Sequence, residues 1–97
     1  MSHLRVVARL IVAPENASAA RGIFDALLAP TRREEGCFLY ELLEEIERPG
    51  DFTFVETWSD KAAHDQHLLT PHIQTALAAI APLLTKEPQV RFLNEVG

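Results

Sequence analysis

The segment from residue 4 to residue 12 alternates between apolar and mixed positions. The positions between the apolar ones include Arg5 and Arg9. Because successive side chains of a β-strand point to opposite faces, this period of two predicts a strand with two chemically different faces. Such a strand needs a second layer of structure over its apolar face. The apolar positions are Leu4, Val6, Ala8, Leu10 and Val12.

The rest of the chain predicts three helices and three further strands. Pro30 should kink or end the first helix, and the Arg48-Pro49-Gly50-Asp51 turn should join two strands as a hairpin. The predicted elements are a helix over 17–33, strands over 37–47 and 52–58, a helix over 60–69, a helix from Pro71 that Glu87-Pro88 ends, and a strand over 89–96.

This order predicts one ferredoxin-like split βαβ domain over residues 1–97, of class α+β, with a four-stranded antiparallel sheet. The helices cover one face of such a sheet. Phe52, Phe54 and Trp58 share one face of the third strand and would leave an apolar patch if exposed. We expect two sheets to pack face to face in a homodimer and bury this patch, with Glu56 and either Arg5 or Arg9 inside or beside a cavity.

Composition excludes several classes of protein. Lys and Arg number 9 against 14 Asp and Glu, for a net charge of -5, and there is no basic run that would suit nucleic acid. Cys37 is the only cysteine, so an intrachain disulfide is impossible and a reducing cytoplasm fits best. The longest apolar stretch, 75–84, is too short for a bilayer, and we predict no membrane segment.

Several short motifs between residues 35 and 72 have an order and a spacing that are informative together. Glu35-Gly36-Cys37 precedes Tyr40, then come Glu56-Thr57-Trp58-Ser59-Asp60, Ala63, His67 and Thr70-Pro71-His72. In this order and spacing they resemble the antibiotic biosynthesis monooxygenase family, from the first helix to the start of the third. The resemblance implies a dimeric α+β barrel, in which two ferredoxin-like subunits face each other with one pocket each.

Known members of that family include cofactor-independent oxygenases of quinols and polycyclic phenols, haem-degrading oxygenases and isomerase-like proteins. The resemblance implies the first activity, with a small aromatic substrate, dioxygen and no cofactor, because a deprotonated phenol can itself reduce dioxygen. Haem-degrading members carry an Asn in the first strand where this chain has Ala8, which counts against haem breakdown. The alternative is a non-oxidative dimer, either an isomerase of a small signalling compound or a stress-linked binding module.

Three residues are the predicted catalytic group. His67 is the expected acid or base, because imidazole titrates near neutral pH and relatives often carry a His there. Trp58 stands where relatives have a pocket tryptophan, and could instead anchor a dimer interface. Glu56 could serve as a base or an orienting acceptor, or could pair with an arginine of the first strand.

Tyr40, Phe54, His72 and Arg9 are the predicted substrate-binding residues. Tyr40 could donate to a phenolate or simply fill the sheet. Arg9 could meet an acidic substrate or pair with Glu41, Glu45 or Glu56 across the sheet.

Three histidines lie within nine positions, at 64, 67 and 72. Metal ligation by them is conceivable. No acidic or cysteine ligand accompanies them at a recognised zinc spacing, so we predict no metal site.

Overall fold

The computed structural model describes residues 3–97. Its strands form one antiparallel sheet in the order β2-β3-β1-β4, and its helices pack on that sheet. This arrangement confirms the predicted ferredoxin-like α+β fold. The elements are β1 (Leu4–Ile11), α1 (Ala17–Arg32), β2 (Cys37–Glu44), β3 (Asp51–Trp58), α2 (Lys61–Leu68), α3 (Pro71–Ile80) and β4 (Gln89–Asn94), with short 3-10 turns at Pro14–Asn16 and Ala81–Leu83.

Most element boundaries lie close to the predicted ones, and the largest difference is the end of α3. The helix stops at Ile80 and continues as a 3-10 turn that contains Pro82. Proline has no amide hydrogen and crowds the preceding turn, so it ends the regular helix before the predicted stop at Glu87-Pro88. Pro30, by contrast, lies in the last turn of α1 and leaves the helix intact to Arg32.

The aromatic face of β3 is the face that the helices cover. Phe52, Phe54 and Trp58 are at most 3% exposed within the single chain. Phe24 of α1 packs edge-on against Phe52 and Phe54, with ring centroids 5.3 and 5.2 Å apart. The prediction that this patch needs a second subunit to bury it was therefore wrong. The alternation of a strand tells which side chains share a face, but not which face the helices cover.

The antiparallel register assembles one row of side chains under the helices. Val6 and Tyr40 lie on either side of Glu56, and Ala8 lies beside Phe54. Directly paired residues of antiparallel strands project to the same face. The register thus brings residues from three strands to one place beneath α2 and α3.

Gly36 joins α1 to β2 with a backbone φ of +85°. A Cβ atom there would lie 2.6 Å from Ser59 Oγ and 2.7 Å from Ala63 Cβ. Glycine is suited to this position because L side chains rarely adopt positive φ. The close approach also ties the start of β2 to the segment that begins α2.

We expect Gly36→Ala to lower the free energy of unfolding by roughly 1–3 kcal/mol, because it combines a strained φ with a steric clash. Urea denaturation measures this change. The matched control is Gly22→Ala in α1, where no atom lies within 4 Å of the new Cβ. It should raise stability by about 0.5–1 kcal/mol. An equal change in unfolding free energy in the two variants would contradict the special backbone and steric requirement at Gly36.

Candidate active site

A cavity of about 300 Å³ lies between the sheet and the three helices. Its walls are mainly apolar, and its polar side chains are Tyr40, Glu56, His64 and His67. A concave apolar space with a few convergent polar groups is the usual form of a small-molecule site. The other wall residues are Val6, Ala8, Leu10, Phe24, Leu27, Phe54, Leu68, Ile73, Ala76, Leu77, Pro88, Val90 and Phe92.

Glu56 projects from β3 into this apolar environment and is 4% exposed. Its Oε1 accepts a hydrogen bond of 2.8 Å from Trp58 Nε1 and lies 3.9 Å from His64 Nε2. Burial raises the pKa of the carboxyl to about 7, and the indole hydrogen bond opposes that rise. Its partner is thus an indole and not an arginine of β1, and the carboxyl can gain or lose a proton near neutral pH.

His67 is the buried imidazole at the end of α2, with 2% exposure. Its Nδ1 lies 2.8 Å from Glu34 Oε2. An ionised carboxylate only accepts hydrogen bonds, so Nδ1 is the protonated nitrogen and Nε2 carries the free lone pair of the neutral ring. Burial lowers the pKa of His67, and the Glu34 carboxylate opposes this. The pair has the carboxylate and imidazole arrangement that favours a general base.

Glu34 belongs to the site although sequence reasoning gave it no role. It lies in the turn after α1, and its Oε2 is also 2.7 Å from His72 Nε2. Glu34 and His67 are 33 positions apart, and no motif links them in the chain. The fold alone brings them together, so no sequence signal could have identified the pair.

Tyr40 and His64 complete the polar part of the cavity wall. Tyr40 is 2% exposed and lies beside Glu56 in the register. Burial raises the pKa of its hydroxyl above the ordinary value, so the group stays a neutral donor. Burial lowers the pKa of His64, whose Nδ1 has no hydrogen-bond partner among residues 3–97. The sequence pattern indicates a role for His64 only as a metal ligand.

The remaining predicted residues take different positions. Phe54 lines the cavity, whereas Trp58 is fully buried behind it, with its ring 4.9 Å from that of His67. His72 lies on the far side of Glu34 and is not part of the cavity wall. The structure thus brings Phe54, Trp58 and Glu56 together with His67. His72 is connected to His67 only through Glu34.

Arg9 lies on the uncovered face of the sheet, paired in register with Thr53. Its Nε and Nη2 donate to the two oxygens of Asp51 at 2.9 and 2.7 Å. The ion pair holds the pKa of Asp51 below its usual value. Arg9 therefore pairs with the residue that starts β3, not with the three glutamates that we considered, and it does not reach the cavity.

Fold and site together define a ferredoxin-like α+β protein with an aromatic and acid–base cavity between its sheet and helices. The model of the family described as antibiotic biosynthesis monooxygenase matches residues 3–79. The chain belongs to the antibiotic biosynthesis monooxygenase family. Membership supports a monooxygenase-like function. Within residues 3–97, no helix has the length and apolar character needed to cross a bilayer.

Individual relatives agree with this assignment. The chain is 35% identical over 92 residues to the "Putative monooxygenase Rv0793" of Mycobacterium tuberculosis, which covers 95% of this chain and 90% of that protein. The solved structure of Rv0793 superposes with a TM-score of 0.91, 33% identity and coverage of 99% and 97%. PA3566 from Pseudomonas aeruginosa gives a TM-score of 0.93 at 29% identity, with coverage of 100% and 97%.

The raised pKa of Glu56 predicts a pH dependence of stability. A carboxyl whose pKa rises from 4.5 to about 7 on folding contributes fully below pH 4.5, and that contribution is lost as pH rises through 7. The difference in unfolding free energy between the wild type and Glu56→Gln should therefore fall by roughly 1–3 kcal/mol between pH 5 and 8.

Urea denaturation of both proteins across this pH range measures the difference. Tyr40 and His64 are present in both proteins, so their own titrations largely cancel, whereas the interactions of Glu56 with its neighbours, Glu34 included, are part of the measured difference. A difference that stays constant with pH would show that Glu56 titrates normally.

Proposed function

We propose that this protein is a cofactor-independent monooxygenase that oxidises a quinol or a related electron-rich aromatic hydroxyl compound with dioxygen. The observation that carries the proposal is the imidazole of His67, which lines an apolar cavity together with Glu56 and is paired with Glu34 outside that cavity. It supplies a proton acceptor in the wall of a mainly apolar cavity. The family membership supports the same class of reaction.

The cavity suits a small apolar ligand. Phe24 and Phe54 pack edge-on against each other and form the aromatic part of the wall, and aliphatic side chains of α3 line another part. A volume of about 300 Å³ is at the lower end of small-molecule sites, which favours a substrate with few fused rings. Its hydroxyl group would lie at the polar end, beside His67 and Tyr40.

The reaction begins with removal of the hydroxyl proton by His67 Nε2. Glu34 stabilises the resulting imidazolium through Nδ1, and the neutral Tyr40 hydroxyl, on the cavity wall, donates to the phenolate. The electron-rich anion then reduces dioxygen. Overall, one substrate and one dioxygen give a product with one more oxygen and two fewer hydrogens, plus one water. No external reductant is needed.

Glu56 is the second acid–base group. With a pKa of about 7, it can return or remove a proton as oxygen is transferred. The Trp58 indole fixes the position of its Oε1, so Trp58 acts as a positioning residue and does not touch the substrate. His67 and Glu56 are thus proposed as the catalytic residues, and Trp58 as a positioning residue.

Homodimerisation belongs to the same proposal, with the uncovered face of the sheet as the interface. Val7 and Val55 are neighbours at the centre of that face, and Leu43 beside Thr53 is 51% exposed. Burying this apolar strip against a second copy would remove it from water. The family resemblance supports a second copy as the partner, and the single cysteine favours the reducing cytoplasm as the location.

Dioxygen uptake by chelator-treated protein on a panel of naphthoquinols, anthrones and catechols tests the reaction. We expect uptake above the spontaneous rate with at least one compound, and a loss of about a hundredfold or more in His67→Gln. Glutamine can still donate to Glu34 but takes up no proton, so the fold should persist. His3→Ala, an exposed histidine, is the matched control.

An unchanged rate in His67→Gln would remove the base from the mechanism. Absence of uptake with every compound would contradict the oxygenase proposal. Conversion of a ligand at constant mass, or binding without turnover, would then favour the isomerase or the binding module.

Light scattering after size-exclusion chromatography tests the dimer. We expect a mass of twice the 10.8 kDa of the chain for the wild type, and 10.8 kDa for Val55→Lys, because a charge would be buried at the interface. Gln74→Lys, exposed on α3, should stay dimeric. A wild-type mass of 10.8 kDa would contradict the interface.

A further inference from the structure

We propose that Glu34, His67 and His72 form a binding site for a divalent transition-metal cation such as Zn²⁺. One ligand atom from each residue, Glu34 Oε2, His67 Nδ1 and His72 Nε2, lies within 4.8 Å of the other two. Two imidazoles and a carboxylate are a donor set that zinc and its neighbours prefer, and that magnesium and calcium do not. The acidic ligand missing from the histidine segment is thus supplied by the turn after α1.

The distances already approach those of a metal site. Glu34 Oε2 lies 2.8 Å from one ring nitrogen and 2.7 Å from the other. Zinc binds imidazole nitrogen and carboxylate oxygen at about 2.0–2.2 Å, which places neighbouring ligand atoms roughly 3 Å apart. Small side-chain movements would open the space, and each imidazole would bind the cation through the nitrogen that faces Glu34 while carrying its proton on the other ring nitrogen.

The backbone holds the two histidines in converging positions. Thr70 caps the start of α3, and its hydroxyl donates to the His67 carbonyl oxygen at 2.8 Å. The same hydroxyl oxygen lies 3.2 Å from His72 Nε2. The turn between α2 and α3 is therefore fixed by its own hydrogen bonds, so little ordering is needed on metal binding.

The site is accessible from solvent but does not open into the substrate cavity. The side chains of Glu34 and His72 are 13% and 24% exposed, and neither lines the cavity. The His67 ring separates the two spaces, because Nδ1 faces Glu34 while the ring forms part of the cavity wall. Iron oxygenases with a similar donor set need open coordination positions toward the substrate. The geometry here favours a cation that acts through His67.

A regulatory consequence follows, and this part rests on the proposed function. A cation would bind the lone pair of Nδ1, so the neutral His67 ring would carry its proton on Nε2. Nε2 would then have no lone pair with which to take up the substrate proton. Metal binding should therefore inhibit the oxygenase.

Calorimetric titration of the chelator-treated protein with zinc chloride tests the site directly, without turnover. We expect one ion per chain, and Co²⁺ should give visible absorption bands from its nitrogen and oxygen ligands. Glu34→Gln and His72→Ala should each weaken zinc binding by at least about tenfold. Circular dichroism checks that both variants fold.

The matched controls are Glu35→Gln and His3→Ala, which remove an adjacent carboxylate and an exposed imidazole. Both should bind zinc as the wild type does. Absence of binding, or binding that Glu34→Gln and His72→Ala leave unchanged, would overturn the site.

Inhibition by zinc is measured separately, from the rate of dioxygen uptake. Zinc should slow dioxygen uptake by the wild type and have at least about tenfold less potency in His72→Ala, each compared with its own metal-free rate. Zinc binding with undiminished uptake would overturn the inhibition and leave the site. Zinc binding in a protein that shows no uptake with any compound would support the site and contradict only the proposed function.

Discussion

A single carboxylate oxygen, Glu34 Oε2, contacts two imidazole rings, and the arrangement of the candidate site depends on it. Through this oxygen, the turn after α1 is joined to the end of α2 and to the start of α3. The contact also selects the tautomer of His67 that leaves Nε2 unprotonated. Without the carboxylate, two buried or half-buried rings would lose their polar partner, which is costly away from water. The Glu34 side chain thus both stabilises the packing of these elements and orients His67 as a proton acceptor.

Glu56 poses the opposite problem, because it is a carboxyl with few polar neighbours. A structural carboxylate inside a protein is usually paired with a cation. Here the neighbours are an indole donor at 2.8 Å and a histidine at 3.9 Å, both buried. The sequence retains this charge at a destabilising position near neutral pH, where an apolar residue would pack without penalty. Such a cost is expected where a titrating group serves a reaction.

Local pattern was enough to predict the fold and the strand faces, but not the side on which the site lies. The period of two in β1 and β3 correctly grouped Val6 with Ala8, and Phe54 with Glu56, because alternation depends only on strand geometry. The same pattern could not show which face α1 would cover, and the aromatic row was assigned to the wrong layer. Arg9 shows the same limit, since its partner Asp51 is fixed by register. Glu34 was out of reach because its contacts join residues 33 and 38 positions apart.

Incorporation of labelled oxygen tests the central claim most directly, namely that the cavity supports oxygen transfer by a proton acceptor without a bound cofactor. A compound that supports uptake would be converted under ¹⁸O₂ in ordinary water by the chelator-treated protein, and the product analysed by mass spectrometry. The account predicts one ¹⁸O atom per product molecule, with the second atom recovered as water. A product without label, with dioxygen released as hydrogen peroxide, would contradict it, because the protein would then be an oxidase.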